Sequence, residues 1–194
     1  MSDRNDCVRL HVYLLAGTSP CVQGACLDTV TYTYQCEARL EHRLLEAAGA
    51  CDFAEASALL DGKADVNAVD GEGWSPLILA AKAGHGAMVD FLMERGAAPN
   101  PATVSHTALR AASIFGHEHI ARRLLAARAD PNLCSLFGRT PLMGAAMNKH
   151  PALVRVLLEA RADALARHRL SRLAPYQIAE AAGAPWLGRQ EKTY

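Results

Sequence analysis

Four times along this chain a small residue opens a short, alanine-rich apolar run. The openings fall at Ser75, Thr107, Thr140 and Ala174, in steps of 32, 33 and 34 residues. Pro76, Pro141 and Pro175 follow three of them. A small capping residue before a proline is a helix start, because proline has the right φ for the first helical position and loses no needed N–H there. In the clearest copy, residues 76–83 form the first helix and Gly84 ends it. A second helix carries Met88, Val89, Leu92 and Met93, whose spacing makes one apolar stripe, and Gly96 closes it. Two short helices cannot bury both apolar faces alone, so each unit needs copies stacked beside it.

The register assigns units of about 39–70, 71–103, 104–136 and 137–169, with a truncated cap at 170–183. The third unit runs Thr107-Ala108-Leu109-Arg110-Ala111-Ala112, then Gly116-His117, Ile120, Leu124 and Leu125. The fourth runs Thr140-Pro141-Leu142-Met143-Gly144-Ala145-Ala146, then His150-Pro151, Leu153, Val154, Leu157 and Leu158. The cap supplies one helix, Ala174 to Gly183, with Trp186 and Leu187 expected to fold back over it. The first unit lacks the capping start, and its Glu55 stands where the other units are apolar, as suits a terminal repeat with one face in water. Residues 1–38 fall outside the repeat, as does the tail 184–194. Val8–Leu15 and Val30–Tyr34 have the β-branched and aromatic character of short strands, or the extension is partly disordered.

These residues resemble the ankyrin repeat family across about 39–183: a turn and two helices per unit of about 33 residues. The resemblance implies an all-α ankyrin-repeat solenoid with hairpin-like loops. The chain departs from the family's Thr-Pro-Leu-His at the last position, where it carries Ile78, Arg110, Met143 and Gln177, so the local hydrogen bond of that His is expected to be absent. Lys63, Arg128 and Arg161 replace the glycine that ends the second helix, which strains the backbone if it stays left-handed. His85, His117 and His150 are in register, where the family has a structural His. Stacked repeats about 8–10 Å apart cannot bring three such rings to one zinc ion.

Other chemistry is hard to find. No nucleophile elbow, phosphate loop or dinucleotide fingerprint is present, so a non-enzymatic chain with no cofactor and no metal site is expected. Cys7, Cys21, Cys26 and Cys36 lack the paired C-x-x-C knuckles of a structural zinc site. Charge is balanced overall at net 0, yet residues 1–97 hold 7 basic against 14 acidic residues and residues 98–194 hold 13 against 6. Such a gradient orients a partner but is too diffuse to indicate nucleic acid. With no apolar run long enough to span a bilayer, no membrane insertion is expected, and the chain is read as an intracellular monomer, cytoplasmic or nuclear, with reduced thiols.

In the family, partners dock on the hairpin tips and the first-helix face of the concave side. Carried over, those places hold Glu72, Trp74 and Lys82 in the second unit, His106, Ile114 and Phe115 in the third, and Leu136, Phe137, Arg139, Met147 and Asn148 in the fourth. Many are apolar or aromatic, as at an interaction surface. The function so implied is a scaffold or adaptor binding a protein partner. The alternatives are a substrate-recruiting adaptor of a ubiquitin ligase, or the regulatory part of a larger enzyme or channel. The resemblance also points to asparaginyl hydroxylation at Asn67, with Asp65-Val66 before it and Leu59 eight residues back; the plainer reading is that Asn67, Asn100 and Asn132 brace their turns.

Overall fold

The computed structural model describes residues 29–101, 106–135, 138–168 and 173–181. Its helices are α1 (Thr29–Ala50), α2 (Phe53–Asp61), α3 (Pro76–Ala83), α4 (Gly86–Glu94), α5 (Ala108–Phe115), α6 (Glu118–Ala126), α7 (Pro141–Met147), α8 (Pro151–Glu159) and α9 (Pro175–Ala181). The odd-numbered helices pack one on the next in a row, and each of α1, α3, α5 and α7 pairs with the even-numbered helix that follows it. The described residues are therefore a helical solenoid without strands.

The helix starts form as the capping residues require. Ser75 Oγ accepts from the Ile78 N–H, Thr107 Oγ1 from Arg110 and Thr140 Oγ1 from Met143, at 3.1–3.3 Å. Ala174 has no hydroxyl to offer. There the bond runs the other way: Gln177 Oε1 accepts from the Ala174 N–H at 2.9 Å, the reciprocal half of a capping box. The expected loss of local bonding at the His position is thus corrected at this unit.

Leu44, Ile78, Met88, Leu92, Leu109, Ile120, Leu124, Leu142, Leu153 and Leu157 are fully buried between the rows. Each such side chain contributes about 1.5–3 kcal/mol relative to leaving it in water. Ala48, Ala80, Ala81, Ala112, Ala145 and Ala146, equally buried, let the odd helices approach closely. Glu55, out of pattern in the first unit, takes the Arg43 guanidinium of α1 through Nε and Nη2 at 3.0 and 2.7 Å. An apolar contact is replaced there by a half-exposed ion pair.

Two sets of cross-repeat hydrogen bonds fix the stacking. His85, His117 and His150 reach back, their Nε2 atoms lying 3.1–3.2 Å from the carbonyls of Gly49, Lys82 and Ile114. On the opposite edge Asn67, Asn100 and Asn132 reach forward. Each Oδ1 accepts a backbone N–H of the next unit (Ala98, Asp130, Asp163), and each Nδ2 donates to a carbonyl there (Gly96, Arg128, Arg161). The asparagines brace not one turn but two successive ones.

The structure departs from expectation at the N-terminal side. Val30–Tyr34 is not a strand: it lies within α1, which starts at Thr29 and runs unbroken into the first repeat. Strand propensity reflects fit to a pleated surface, and the described residues offer no sheet to fit. Val8–Leu15, Cys7, Cys21, Cys26, Trp186 and Leu187 lie outside the described residues.

Left-handed backbone recurs at two places per unit. After the first helix come Cys51, Gly84, Gly116 and Lys149; after the second come Lys63, Gly96, Arg128 and Arg161, all at positive φ. The non-glycine members carry the expected strain. A Cβ on Gly84 would also stand 2.7 Å from Cε1 of His117. Gly84→Ala is therefore expected to destabilise by about 2–3 kcal/mol, while Lys149→Gly at the same register position raises stability by about 0.5–1 kcal/mol. Equilibrium urea unfolding of the two variants checks both signs.

Candidate functional site

The repeat register projects three rows of side chains from the odd-helix layer. The residue before each helix start gives Trp74, His106, Arg139 and Leu173. The fourth helix-start position gives Ile78, Arg110, Met143 and Gln177. The last turn gives Lys82, Ile114 and Met147. The candidate partner-binding residues gather in two places along these rows.

The first place spans the second and third units. Asp70 shapes its tip: Oδ1 accepts from the N–H groups of Glu72 and Trp74, and Gly73 turns the chain at φ 85°. The Trp74 indole donates to Glu72 Oε2 at 3.1 Å. The His106 ring stacks on Trp74 with centroids 4.0 Å apart and planes 10° from parallel, and Lys82 Nζ lies 4.5 Å from the Trp74 centroid. Glu72, Trp74, Lys82 and His106 thus form one polar–aromatic cluster.

The second place is a cleft of about 410 Å³ between α5, α7 and the final unit. Ile114, Met143, Met147, Leu173 and Ile178 make its apolar walls, and Arg110, Arg139 and His168 bring positive and polar groups to it. Gly144 lets Ile114 pack close against α7; a Cβ there would stand 2.9 Å from Ile114 Cγ1. His168 and Leu173 stand at the end of the cleft, the His168 N–H donating to the Leu173 carbonyl at 3.0 Å.

The two places touch through one hydrogen bond, from Arg110 Nη2 to His106 Nδ1 at 2.6 Å. Nδ1 must therefore accept, which puts the neutral imidazole's proton on Nε2. Arg110 is only 8% exposed, and its Nε is buried with no hydrogen-bond partner. Arg139 is exposed and donates from Nε to His168 Nε2 at 3.4 Å. Burial, and secondarily Arg139, lower the Arg110 pKa from its ordinary value, and the guanidinium stays charged at neutral pH. Burial and then Arg110 push His106 below its ordinary 6.5; Asp70 and Glu72 oppose this and Lys82 adds to it.

Of the sequence candidates, Ile114, Arg139 and Met147 meet in the cleft. Phe115 and Met147, 50% and 44% exposed, end α5 and α7. Asn148 is exposed but committed, since its Nδ2 donates to the Gly144 carbonyl at the end of α7. Leu136 and Phe137 lie outside the described residues. Sequence reasoning missed Arg110 as a site residue. Its signal was a charge at a register position where the neighbouring units carry Ile78 and Met143. His168 stood out in the sequence only through its basic neighbours Arg167 and Arg169. Among the described residues no group of three or more His, Cys, Asp or Glu side chains is placed to hold a metal ion, and none of the helices is long and apolar enough to cross a membrane.

Stacked helix pairs of this length, joined by short turns, define a helical repeat protein. The family model for ankyrin repeats (3 copies) matches residues 44–135 and 100–168, and the chain belongs to the ankyrin repeat family. Ankyrin repeats are protein–protein interaction modules, generally without catalysis of their own. The chain is similar to the E3 ubiquitin-protein ligase XBAT33 of Arabidopsis thaliana, 37% identical over 145 residues, which are 73% of this chain and 28% of that protein. It is similar to the ankyrin repeat, SAM and basic leucine zipper domain-containing protein 1 of Atelerix albiventris, 35% identical over 108 residues, 53% of this chain and 23% of that one. It also resembles Rabankyrin-5 of Mus musculus, 32% identical over 119 residues, 55% of this chain and 10% of the relative. The chain spans less than a third of the length of these relatives.

The half-buried acceptor at His106 has a consequence for pH. Its folded pKa lies below 6.5, so on acidification the unfolded chain takes up this proton before the folded chain does. Stability therefore rises with pH across the window between the folded pKa and 6.5, and the penalty is complete below it. The Tm is expected to fall between about pH 7 and pH 5, and to fall less in His106→Gln, which keeps an acceptor without a titrating ring. Calorimetry at the two pH values measures this.

Proposed function

We propose that this chain is a non-enzymatic docking platform, a scaffold or adaptor, that binds a protein partner along the concave face formed by the odd-numbered helices and their preceding turns. The observation that carries this reading is exposed Met147 in the wall of the apolar cleft, with exposed Phe115 next in the chain to Ile114 of the same wall. Large apolar side chains left in water at the rim of a preformed apolar cleft gain by covering each other on contact with a partner. Glu72, Trp74, Lys82 and His106 extend the surface toward the acidic end of the chain, and Arg139 and Met147 toward the basic end. Leu136, Phe137 and Asn148 complete the proposed contact set. The stacked, hydrogen-bonded repeats present these groups preorganised, which limits the ordering cost of binding.

A second reading, recruitment of substrates to a ubiquitin ligase, is supported by the similarity to XBAT33. It uses the same face, with the ligase function residing in another part of a longer chain or in a partner. Hydroxylation of Asn67 by an intracellular asparaginyl hydroxylase remains a proposal. The side chain already gives both its amide groups to the next repeat. The native protein's mass, with or without one added oxygen, decides it.

Phe115→Asp with Met147→Asp tests the platform. Both side chains are exposed, so each change is expected to alter stability by no more than about 0.5 kcal/mol. An affinity pull-down with the full chain should capture a partner that the double variant, verified as folded by circular dichroism, fails to capture. Identical captures would remove this face as the binding site.

A further inference from the structure

A cation buried without a counter-charge is costly, since desolvating an ion takes several kcal/mol that only a well-placed opposite charge repays. Arg110 is more than nine-tenths buried; in the cleft it is accompanied by a second guanidinium, Arg139, and the His168 imidazole, and outside the cleft it bonds the His106 imidazole. Among the described residues neither arginine has an ion pair. The carboxylates that do form pairs, Glu46, Glu55, Asp61, Glu118 and Asp90, answer other basic groups. Arg110 Nε, a fixed donor, is left with nothing to donate to. Two like charges side by side in a half-apolar cleft repel each other, which the lowered Arg110 pKa also reflects. Nothing in the packing of α5 against α7 calls for this charge: the same register position is filled by Ile78 and Met143 in the neighbouring units.

We infer that the cleft between α5, α7 and the final unit recognises a carboxylate of a partner peptide, an Asp or Glu flanked by apolar residues, with Arg110 at the floor and Arg139 at the mouth. This rests on the docking face proposed above and assigns its chemistry at one end. A planar guanidinium holds a carboxylate with two parallel hydrogen bonds, and an anion between two arginines converts their repulsion into attraction. Ile114, Met143, Met147, Leu173 and Ile178 then cover the flanking apolar side chains and keep water from the ion pair. The excess of basic residues in the C-terminal half, 13 against 6, steers an acidic segment to this end of the solenoid. The cleft opens beside exposed Met147, so an extended segment can run on along the face past the carboxylate.

The test uses two immobilised peptide libraries. One draws each position from Glu, Asp, Leu, Ile, Phe and Met; the other replaces Glu and Asp by Gln and Asn. Full-length protein is the probe, with Arg110→Met, Arg139→Gln and Met147→Asp as variants, each checked by circular dichroism. Enrichment in the carboxylate library, weakened about thirtyfold or more by Arg110→Met and less by Arg139→Gln, is the expected result. Equal binding to both libraries, indifferent to the arginines but lost in Met147→Asp, would leave the docking face standing and overturn the carboxylate. Binding to neither library above the Met147→Asp background would overturn both. Sedimentation showing a dimer that Arg139→Gln dissociates would give the cleft to a second copy of this chain and overturn the peptide. Arg110→Lys separates charge from shape: it keeps the cation and loses the fork, so it should recover only part of the binding.

Discussion

Everything in this solenoid depends on the contact between one repeat and the next. That contact is written three times in the same residues. Buried alanines bring the odd helices together, an imidazole reaches back to a carbonyl of the preceding unit, and an asparagine amide reaches forward to the following turn. The imidazoles and asparagines do so by pairing with backbone N–H and C=O groups of the neighbouring unit. The helices themselves are too short, at 7–9 residues beyond α1, to persist alone. Stability is therefore a property of the stack, and so is the shape of the face it presents.

Against that regularity Arg110 stands out. Local rules agree almost everywhere else: caps where helices start, left-handed residues where they stop, apolar side chains between layers. At Arg110 a charge occupies a position that Ile78 and Met143 fill with hydrocarbon, and it is satisfied only through one imidazole. A sequence that is consistent at every level but one tends to break its own rules where function demands it. The breach also links the two surface features. His106 is shared between the Trp74 stack and the arginine, so the aromatic cluster and the cleft form a continuous surface.

The fold was largely legible in the sequence because a repeat reports its own register. Helix ends at Ser75, Gly84, Thr107 and Gly116 are set by local chemistry that one unit confirms for the next. Val30–Tyr34 was misleading for the same reason in reverse: outside the repeat only propensity remained, and a helix continuing into the first unit overrode it. The surface was half legible. Exposed Phe115 and Met147 follow from their register, whereas the cleft depends on distant segments meeting, on Gly144 letting Ile114 pack close against α7, and on His168 and Leu173 coming together at its end. Arg110 was visible as a departure from the family motif, but its burial and its missing counter-charge exist only in three dimensions.

The central claim is that Arg110 is held in the cleft for a ligand and not for the fold. Its most direct test is equilibrium urea unfolding of Arg110→Met beside the native chain. Methionine fills a comparable volume without a charge, and Met143 already does so one repeat on. If the claim holds, the variant is as stable as the native protein or more so, since an uncompensated buried ion is gone. A loss of about 2 kcal/mol or more would show that the guanidinium is part of the fold's own support, and would contradict the account.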